Sequence, residues 1–368
     1  MAVEYVIEVF DPGASFGPGV KVAELWGARN LGWSRYDRRP GRGFATLSQT
    51  DPVLPLLQPL LSHVKIWRIS PSSTVNVFSG GFVDFDSASD DVVLEFFDYT
   101  ALLSVSRAGF KTMYPSKKIG TEVAGVEWAA AKAAAYSPLG FVTTGTVEDP
   151  LGTDGTTPIT TSPQFGTMDQ MRLQLLYDLT EIGRANTVNQ VTYGISRTSP
   201  HTFTFLRNAG TARDFGLALN GSVSGYRHLP NWKSYRNDIA SVGLDAAGGP
   251  AEISKTDETA AAAKARRQDV FTIKTLLGIS GAATEADQQQ AVMARTLKSA
   301  VQQQPAVMFS LMPGFIEPFS GWDICDTVPV EVSNGIDSLT GIRRIAGAQA
   351  LYTEAGERLS LVTEAIAT

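Results

Sequence analysis

The alternation of apolar and polar residues predicts β-structure over roughly the first third of the chain. Residues 5–10 are mostly β-branched or aromatic and stop at Asp11-Pro12, a composition typical of a strand and its turn. The same pattern predicts further strands at residues 20–25, 64–69, 77–85 and 92–97. Residues 51–61 contain three prolines, so their leucines are expected in an apolar edge segment or a short broken helix.

A helical pattern replaces this alternation from Thr121 onward. Residues 121–136 are rich in alanine, the strongest helix former, and Thr121 is a suitable cap. The Gly, Pro, Thr and Asp content of residues 145–166 predicts an exposed loop. Thr167 and Gln170 then have the spacing of a capping box. The helix that follows has an apolar face and is expected to end at Gly183; the face consists of Met171, Leu175, Leu179 and Ile182.

Strands return in the last part of the chain, at residues 190–195, 202–206, 328–332, 342–351 and 359–362. Alanine-rich polar segments at 258–268 and 285–301 predict helices between them. The pattern therefore predicts a mainly β fold with α+β insertions. Its expected divisions are a β domain at 1–117, an α/β accessory domain at 118–189, a second β domain split between 190–257 and 305–368, and an Ala/Gln-rich helical insertion at 258–304.

Composition narrows the class of protein. The 368 residues are 43% hydrophobic and 18% charged, as in a globular protein with two or three packed domains. A net charge of −6 gives no overall attraction to nucleic acid or to an anionic membrane. The N-terminal acids, and the lack of an apolar run of about 18 residues, predict neither a secretion signal nor a stable membrane insertion.

The hairpin at residues 76–104 carries a cluster of acids. Asp84, Asp86, Asp90 and Glu95 have the spacing of EF-hand ligands, but Ala88 stands where another ligand oxygen is needed and the flanks are strands. A glycosidase pair requires two carboxylates with separated pKa values, which a solvated turn does not provide. We therefore expect a structural hairpin with its acids on the polar face and an apolar face of Val83, Phe85, Val92, Leu94 and Phe96.

Candidate chemistry is sparse elsewhere. Cys325 lies between Asp323 and Asp326, which disfavour a thiolate, so it is expected to be a small buried residue. The three histidines are scattered, which disfavours a Cys/His zinc site. The motifs of phosphate-binding loops, nucleophile elbows and zinc proteases do not occur. We therefore expect a protein that is not an enzyme and that has no catalytic residues, no cofactor and no metal site.

Arginines and aromatic residues crowd into residues 28–43, which contain Arg29, Trp33, Arg35, Tyr36, Arg38, Arg39 and Arg42. Such a segment suits nucleic acid, because arginine grips phosphate and aromatic rings stack on bases. It also suits a long arginine loop with glycine hinges that contacts another subunit, because arginine pairs with carboxylates. The acidity of the rest of the chain favours the subunit contact. We predict an interface in which Arg35, Arg38, Arg39 and Arg42 face Asp84, Asp86, Asp90 and Asp91 of a neighbour.

The order of these segments resembles a known family. YVIEVFDP and KVAEL are followed by LGWSRYDRRPGRGFATL, VKIWRI, and VFSGGFVDF with DVVLEFFDYTALLSVS. Later, YRNDIASVGLDA, GWDICDTVPVEVSNGI and TGIRRIAGAQALYTEAGERLSLVTE look like the parts of a second, split barrel. Together they resemble the hub proteins of bacteriophage tail tips and baseplates, including siphophage minor tail proteins. Residues 258–303 have no counterpart in the resemblance.

The resemblance implies two tail-tube-like antiparallel β-barrels and a virion protein of the tail tip. It implies a homotrimer whose six barrels form a pseudo-sixfold ring, with the distal tail protein, the tape measure protein and other tail-tip proteins as partners. Phage DNA would pass through the ring without specific binding. Two alternatives remain at this point: a tip-associated cell-wall hydrolase or carbohydrate-binding protein that uses the acids at 84–98, and the hexameric distal tail protein.

Overall fold

The computed structural model describes residues 3–26, 28–86, 91–105, 118–134, 137–150, 172–186, 190–229, 238–244, 250–256, 258, 268–272, 306–333, 335 and 338–366. Most of the described chain is antiparallel β-structure, which confirms the predicted mainly β class. Among the described helices, none is long and apolar enough to cross a membrane.

The first half of the chain forms strands β1 to β7 of one sheet. They are Glu4–Pro12, Pro18–Trp26, Asn30–Tyr36, Arg42–Ser48, His63–Ile69, Thr74–Asp86 and Asp91–Asp98. The side chains of Tyr5, Ile7 and Val9 alternate into the core, and the strand ends where Pro12 removes a backbone donor. Residues Leu54–Leu56 form a short 3-10 helix in the proline-rich segment, one of the two forms expected there.

The second half extends the same sheet. Its strands β11 and β12 are Leu217–Ala218 and Val223–Leu229, and β16 to β19 are Ala306–Leu311, Thr327–Ser333, Ser338–Thr353 and Gly356–Ala365. Strand β18 pairs antiparallel with β3, from Gly347 opposite Tyr36 to Tyr352 opposite Leu31. The strands of the two halves named so far therefore form one 13-stranded sheet. Its order is open, with β2 and β12 at the ends, so hydrogen bonding closes neither half into a barrel among the described residues.

One hydrophobic core serves both halves of this sheet. It combines side chains from the first half, such as Ile7, Trp33 and Phe82, with side chains from the second, such as Phe309 and Leu361. A polypeptide whose halves share a core in this way unfolds as a unit, because neither half can separate without exposing apolar surface.

A second core lies beside the sheet and is built mainly from helices. It contains a 3-10 helix at Tyr99–Val105, a π-helix at Ile119–Ala124, and helices α1 (Gly125–Ala133) and α2 (Arg172–Asn186). Trp128 stacks on Phe203 with ring centroids 4.3 Å apart, and both side chains are buried. The predicted capping box of Thr167 and Gln170, and Met171 of the predicted apolar face, lie outside the described residues.

The boundary predicted at residue 190 differs from the structure. Strands β9 (Thr192–Ile195) and β10 (Thr202–Leu206) pair with β8 (Thr143–Val147) in a three-stranded sheet that belongs to the second core. A local alternating pattern identifies a strand but not its partner, so it could not assign these two strands to a sheet.

The predicted helical insertion also differs where it is described. Gln268–Thr272 is strand β15. It pairs with one edge of β13 (Asp238–Leu244), and β14 (Pro250–Thr256) pairs with the other edge. The rest of the insertion, apart from residue 258, lies outside the described residues.

Two glycine positions explain further differences. The segment at 28–43 is predicted as a loop with glycine hinges, yet it forms β3, a short turn and the start of β4. A Cβ at Gly32 would lie 2.2 Å from Phe44 Cε1, so this glycine is required by close packing between strands. Helix α2 likewise continues past Gly183, where a Cβ would lie 2.9 Å from Val191 Cγ2.

A bulge changes the apolar face of the β6–β7 hairpin. The register shifts between Phe82 and Asp84, and the extra residue reverses the alternation beyond it. Phe82, Val92, Leu94 and Phe96 point into the core. Beyond the bulge, Phe85 lies opposite Leu94 and stacks on Phe82 with ring centroids 6.4 Å apart, but it is 47% exposed near the end of the strand. The predicted apolar face is correct for β7, and Phe85 lies on that face without being buried.

Candidate assembly surfaces and a buried ion-pair cluster

The predicted acidic surface lies at the far end of the β6–β7 hairpin. Asp84 and Asp86 are exposed at the end of β6. Asp91 begins β7 and accepts a hydrogen bond from Arg29 Nη1 at 2.8 Å within the same chain. Asp90 lies outside the described residues.

The exposed carboxylates of this hairpin do not converge on a metal site. Glu95 is exposed and lies directly opposite Asp84 across the strand pair. Within the described part of the chain, no group of three or more His, Cys, Asp or Glu side chains is arranged to hold a metal ion. The described acids instead present a solvated negative face, which suits contact with a basic surface.

The four predicted arginines are divided between the interior and the surface. Arg39 and Arg42 are exposed at the turn between β3 and β4. Arg38 is buried, and its Nε lies 2.9 Å from Asp37 Oδ2. Arg35 is half-buried, and its guanidinium carbon lies 5.8 Å from the ring centroid of Phe319. Arg39 and Arg42 are thus the members of the set that face solvent.

The turn after β3 carries a buried ion-pair cluster around Asp37. Its Oδ2 accepts hydrogen bonds from Arg344 Nη2 and from Arg184 Nη2, the latter at 3.0 Å, in addition to Arg38. The hydroxyl of Thr192 and the thiol of Cys325 donate to Oδ1, the thiol at 3.4 Å. The side chains of Asp37 and Arg344 are each 2% exposed.

The charges in this cluster are unevenly matched. Burial acts to raise the pKa of Asp37, but the guanidinium groups of Arg344, Arg38 and Arg184 hold it well below its usual range. Glu364 lies on the outer side, with Oε2 between 3.6 and 3.9 Å from nitrogens of the same three arginines. Three cations therefore meet two carboxylates, one buried and one partly exposed.

Cys325 is a structural part of this cluster. It is the chain's single cysteine, and it is free and buried. Burial and the nearby Asp37 carboxylate raise the pKa of its thiol to about 12, so the thiol stays protonated at neutral pH. Its burial matches the prediction, although the deciding carboxylate is Asp37 rather than its neighbours in sequence.

The cluster joins elements that are far apart in sequence. Asp37 follows β3, Arg184 lies on α2, Thr192 on β9 and Arg344 on β18, so both cores meet at one carboxylate. The sequence signal for this site is the Arg343-Arg344 pair inside an apolar strand. Adjacent arginines occupy opposite faces of a strand, so at least one is expected to be buried and to require a carboxylate partner.

A second buried ion pair joins the two halves of the sheet. Arg68 on β5 donates from Nε and Nη2 to the two carboxylate oxygens of Glu357, each at 2.8 Å. Nearby, Glu317 accepts hydrogen bonds from the hydroxyls of Ser70, Ser72 and Ser73. These hydroxyls and Arg68 overcome partial burial and lower the pKa of Glu317 to about 2. Both contacts connect the first half of the chain with the second.

An apolar surface surrounds a small cavity of about 80 Å³ beside the second core. Phe16, Leu60 and Leu61 form its exposed side, with 47%, 72% and 44% of their surfaces accessible. Phe16 and Leu60 both have left-handed backbones, with φ of 61° and 62°. This conformation is costly for bulky residues.

Comparison with known proteins bears on this fold. No family model and no curated protein sequence matches the chain. Among solved structures, the 43 kDa tail protein of prophage MuSo2 from Shewanella oneidensis matches with a TM-score of 0.59 and 14% identity, over 98% of both chains. The chain shares its fold with a phage tail protein.

Two more structures extend the comparison. The tail protein from Neisseria meningitidis MC58 matches with a TM-score of 0.56 and 11% identity, over 98% of this chain and 96% of that one. A chain of the Francisella PdpA–VgrG complex matches with a TM-score of 0.56 and 8% identity, over all of this chain and 58% of that one. The resemblance to phage tail proteins inferred from the sequence is confirmed for the fold.

Proposed function

We propose that this protein is a structural component of a phage tail tip: the trimeric hub that joins the hexameric tail tube or distal tail ring to the threefold tip. The observation that carries the proposal is the tail-protein fold, matched over 98% of this chain and of the MuSo2 tail protein. Low sequence identity limits that comparison to architecture, so the role itself is inferred from how the chain would assemble.

The side-by-side placement of two β-halves in one chain supports a trimer. Strands β3 and β18 join the halves, and both belong to one core. Three copies would therefore present six β-halves to a sixfold tube while keeping threefold symmetry toward the tip. Such a ring would surround or close the DNA channel and contact the distal tail protein, the tape measure protein and other tip proteins.

The overall charge is compatible with a passage for DNA. A net charge of −6 disfavours tight, sequence-independent binding to phosphates. DNA would pass through the ring without a specific site, and the protein would reside at the tail tip of the virion. The proposed role is structural and needs no chemical step.

Charge complementarity defines the proposed subunit contact. Arg39 and Arg42 are exposed on the β3–β4 turn, and Asp84 and Asp86 are exposed at the end of β6. We propose that these two surfaces of neighbouring subunits meet, with Asp91, at the start of β7, beside the acidic surface. Arg38 supports the turn from inside through Asp37.

The mass of the assembled protein tests the proposal. The purified chain is analysed by sedimentation over a wide concentration range, alone and with the distal tail protein of the same phage. If the protein is the hub, the assembly should have three times the mass of one chain. If it is the distal tail protein, the assembly should have six times that mass. Six copies, or a chain that stays monomeric even when the distal tail protein is present, would contradict the trimeric hub.

A further inference from the structure

Two tryptophans lie side by side on the sheet face that points away from the core. Strand β1 runs between β2 and β5, and Val6 of β1 is opposite both Trp26 and Trp67. Residues opposite one another in a sheet share a face, so the two indoles flank Val6. Trp26 is 57% exposed and Trp67 is half-buried, whereas Val6 is buried. We call this surface the tryptophan face.

Hydrogen bonds to carboxylates hold both indoles of the tryptophan face. Trp26 Nε1 donates to Glu24 Oε2 at 3.0 Å, and Trp67 Nε1 donates to Glu8 Oε2 at 2.7 Å. Glu8 and Glu24 are opposite one another in β1 and β2. Lys21 Nζ joins them, 3.2 Å from Glu8 Oε1 and 2.5 Å from Glu24 Oε1. These contacts limit rotation of the rings, so a ligand would meet a site that is already ordered.

The accessible groups of the tryptophan face suit a sugar. The face of an indole ring is negative, so it attracts the C–H bonds on one side of a sugar ring. An ionised carboxylate has about four positions for accepting hydrogen bonds, and the indole and Lys21 contacts of Glu8 and Glu24 occupy only part of that capacity. Hydroxyl groups at the edge of a stacked sugar ring can donate to the remaining positions.

The charges of this surface favour a neutral ligand. Glu4, Glu8 and Glu24 are its carboxylates, and Lys21 and Lys65 are its cations. Lys65 lies over the ring of Phe10, with Nζ 4.7 Å from the ring centroid. An anion would meet more carboxylates than ammonium groups. A cation would have to displace Lys21 from its position between the two glutamates.

The spacing of the tryptophans requires a ligand with more than one ring. Trp26 and Trp67 are separated by two strand spacings, which places their Cα atoms about 9.5 Å apart. A single sugar ring is too small to stack on both indoles, whereas a chain of linked rings can reach from one to the other.

The neighbouring sheet edge is poorly suited to pairing with a strand of another protein. Strand β2 is the last strand at its end of the sheet. It contains Pro18 and Lys21, and its register with β1 shifts twice. Proline, lysine and bulges are features that discourage strand addition at an edge. Recognition at this end of the sheet is therefore expected on the face and not along the edge.

We propose that Trp26, Trp67, Glu8 and Glu24 form a binding site for a neutral oligosaccharide of two or more linked rings. The rings of the ligand stack on the two indoles, and its hydroxyl groups donate to the two carboxylates. This activity goes beyond the assembly role proposed above. The site is separate from the contact between Arg39, Arg42 and the acidic hairpin, and it does not depend on the number of subunits.

Fluorine NMR on the full-length protein tests this site. Fluorotryptophan is incorporated at the six tryptophans, and the signals of Trp26 and Trp67 are assigned with the Trp26→Phe and Trp67→Phe variants. Triacetylchitotriose, cellotriose and maltotriose are each added at constant ionic strength, with N-acetylglucosamine and glucose as single-ring comparisons. With at least one trisaccharide both signals should shift and saturate together, at a concentration about tenfold lower than with its monosaccharide. The signal of the buried Trp128 should not move.

Variants separate the roles of the ring and of the charge. Trp26→Ala should weaken binding about tenfold, followed at the Trp67 signal, because one of the two stacking surfaces is lost. Ile342→Ala is the matched control, since Ile342 on β18 is 56% exposed and lies outside the tryptophan face; it should leave the titration unchanged. Glu24→Gln keeps an oxygen acceptor and should change the affinity less than about threefold. Circular dichroism confirms that each variant is folded.

Several outcomes would overturn the proposal. The absence of a saturating shift with every trisaccharide would refute the site, and equal affinity for a monosaccharide would refute a ligand that spans both rings. A tenfold loss in Glu24→Gln would show that charge is recognised and would contradict a neutral ligand. Saturation by the blocked peptide Gly-Lys-Gly at a lower concentration than by any sugar would assign the tryptophan face to a protein partner.

Discussion

Burial sets the charge of His63, which lies at the start of β5. Its ring is buried, its Nδ1 lies 2.9 Å from the hydroxyl oxygen of Tyr99, and its centroid lies 5.7 Å from that of Phe141. Burial, with a smaller contribution from the neighbouring His201, lowers the pKa of His63 to about 4. The ring is therefore neutral at pH 7, and its role is packing between the sheet and the second core.

The pH dependence of stability should reveal this histidine. Its folded pKa is below its unfolded value of about 6.5, so the unfolded state binds more protons between about pH 4 and pH 6.5. His63 therefore reduces stability as the pH falls through that window. Urea unfolding at pH 7 and pH 5 should show a decrease that is about 2 kcal/mol larger in the native protein than in His63→Gln. A pH dependence in His63→Gln identical to that of the native protein would contradict the assignment.

Element positions could be predicted from local pattern, but their partners could not. The predicted strand at 92–97 appears as β7, and the predicted strand at 5–10 appears as β1, because short-range alternation and turn residues specify both. The pairing of β3 with β18 joins residues over 300 positions apart, and no local pattern specifies such a partner. The Asp37 cluster escaped prediction for the same reason, since Asp37, Arg184 and Arg344 come together only after folding.

Removing the Asp37 carboxylate should loosen the connection between elements. Asp37→Asn leaves Arg38, Arg184 and Arg344 close together without their buried counter-ion. Breaking a buried ion pair in this way costs about 3–5 kcal/mol, and we expect that loss in the free energy of urea unfolding. Glu364→Gln is the matched control, because that carboxylate is 38% exposed and lies farther from the arginines; its loss should be below about 1 kcal/mol. A loss under 1 kcal/mol for Asp37→Asn would contradict the role given to the cluster.

At the scale of the whole molecule, assembly should respond to charge at the proposed contact. The double change Arg39→Glu and Arg42→Glu places acids opposite Asp84 and Asp86 of a neighbour, and should weaken self-association at least tenfold in sedimentation experiments at low salt. Changing Asp84 and Asp86 to Lys in the same chain should restore association, because the attraction is re-formed with its sign reversed. Arg358→Glu, at an exposed position in β19, should have no effect. Unchanged association of the Arg39/Arg42 variant would remove this contact from the proposal.

The pairing of the two halves within each chain limits how the proposed trimeric ring could open. Six registered residue pairs connect β3 with β18, and the buried pair of Arg68 and Glu357 lies across the same division. Separating the halves would break these contacts together, so we expect the two halves of one chain to move as a single rigid body. A passage wide enough for DNA would then open by tilting whole subunits about their mutual contacts, and the hinge would lie between chains rather than within one.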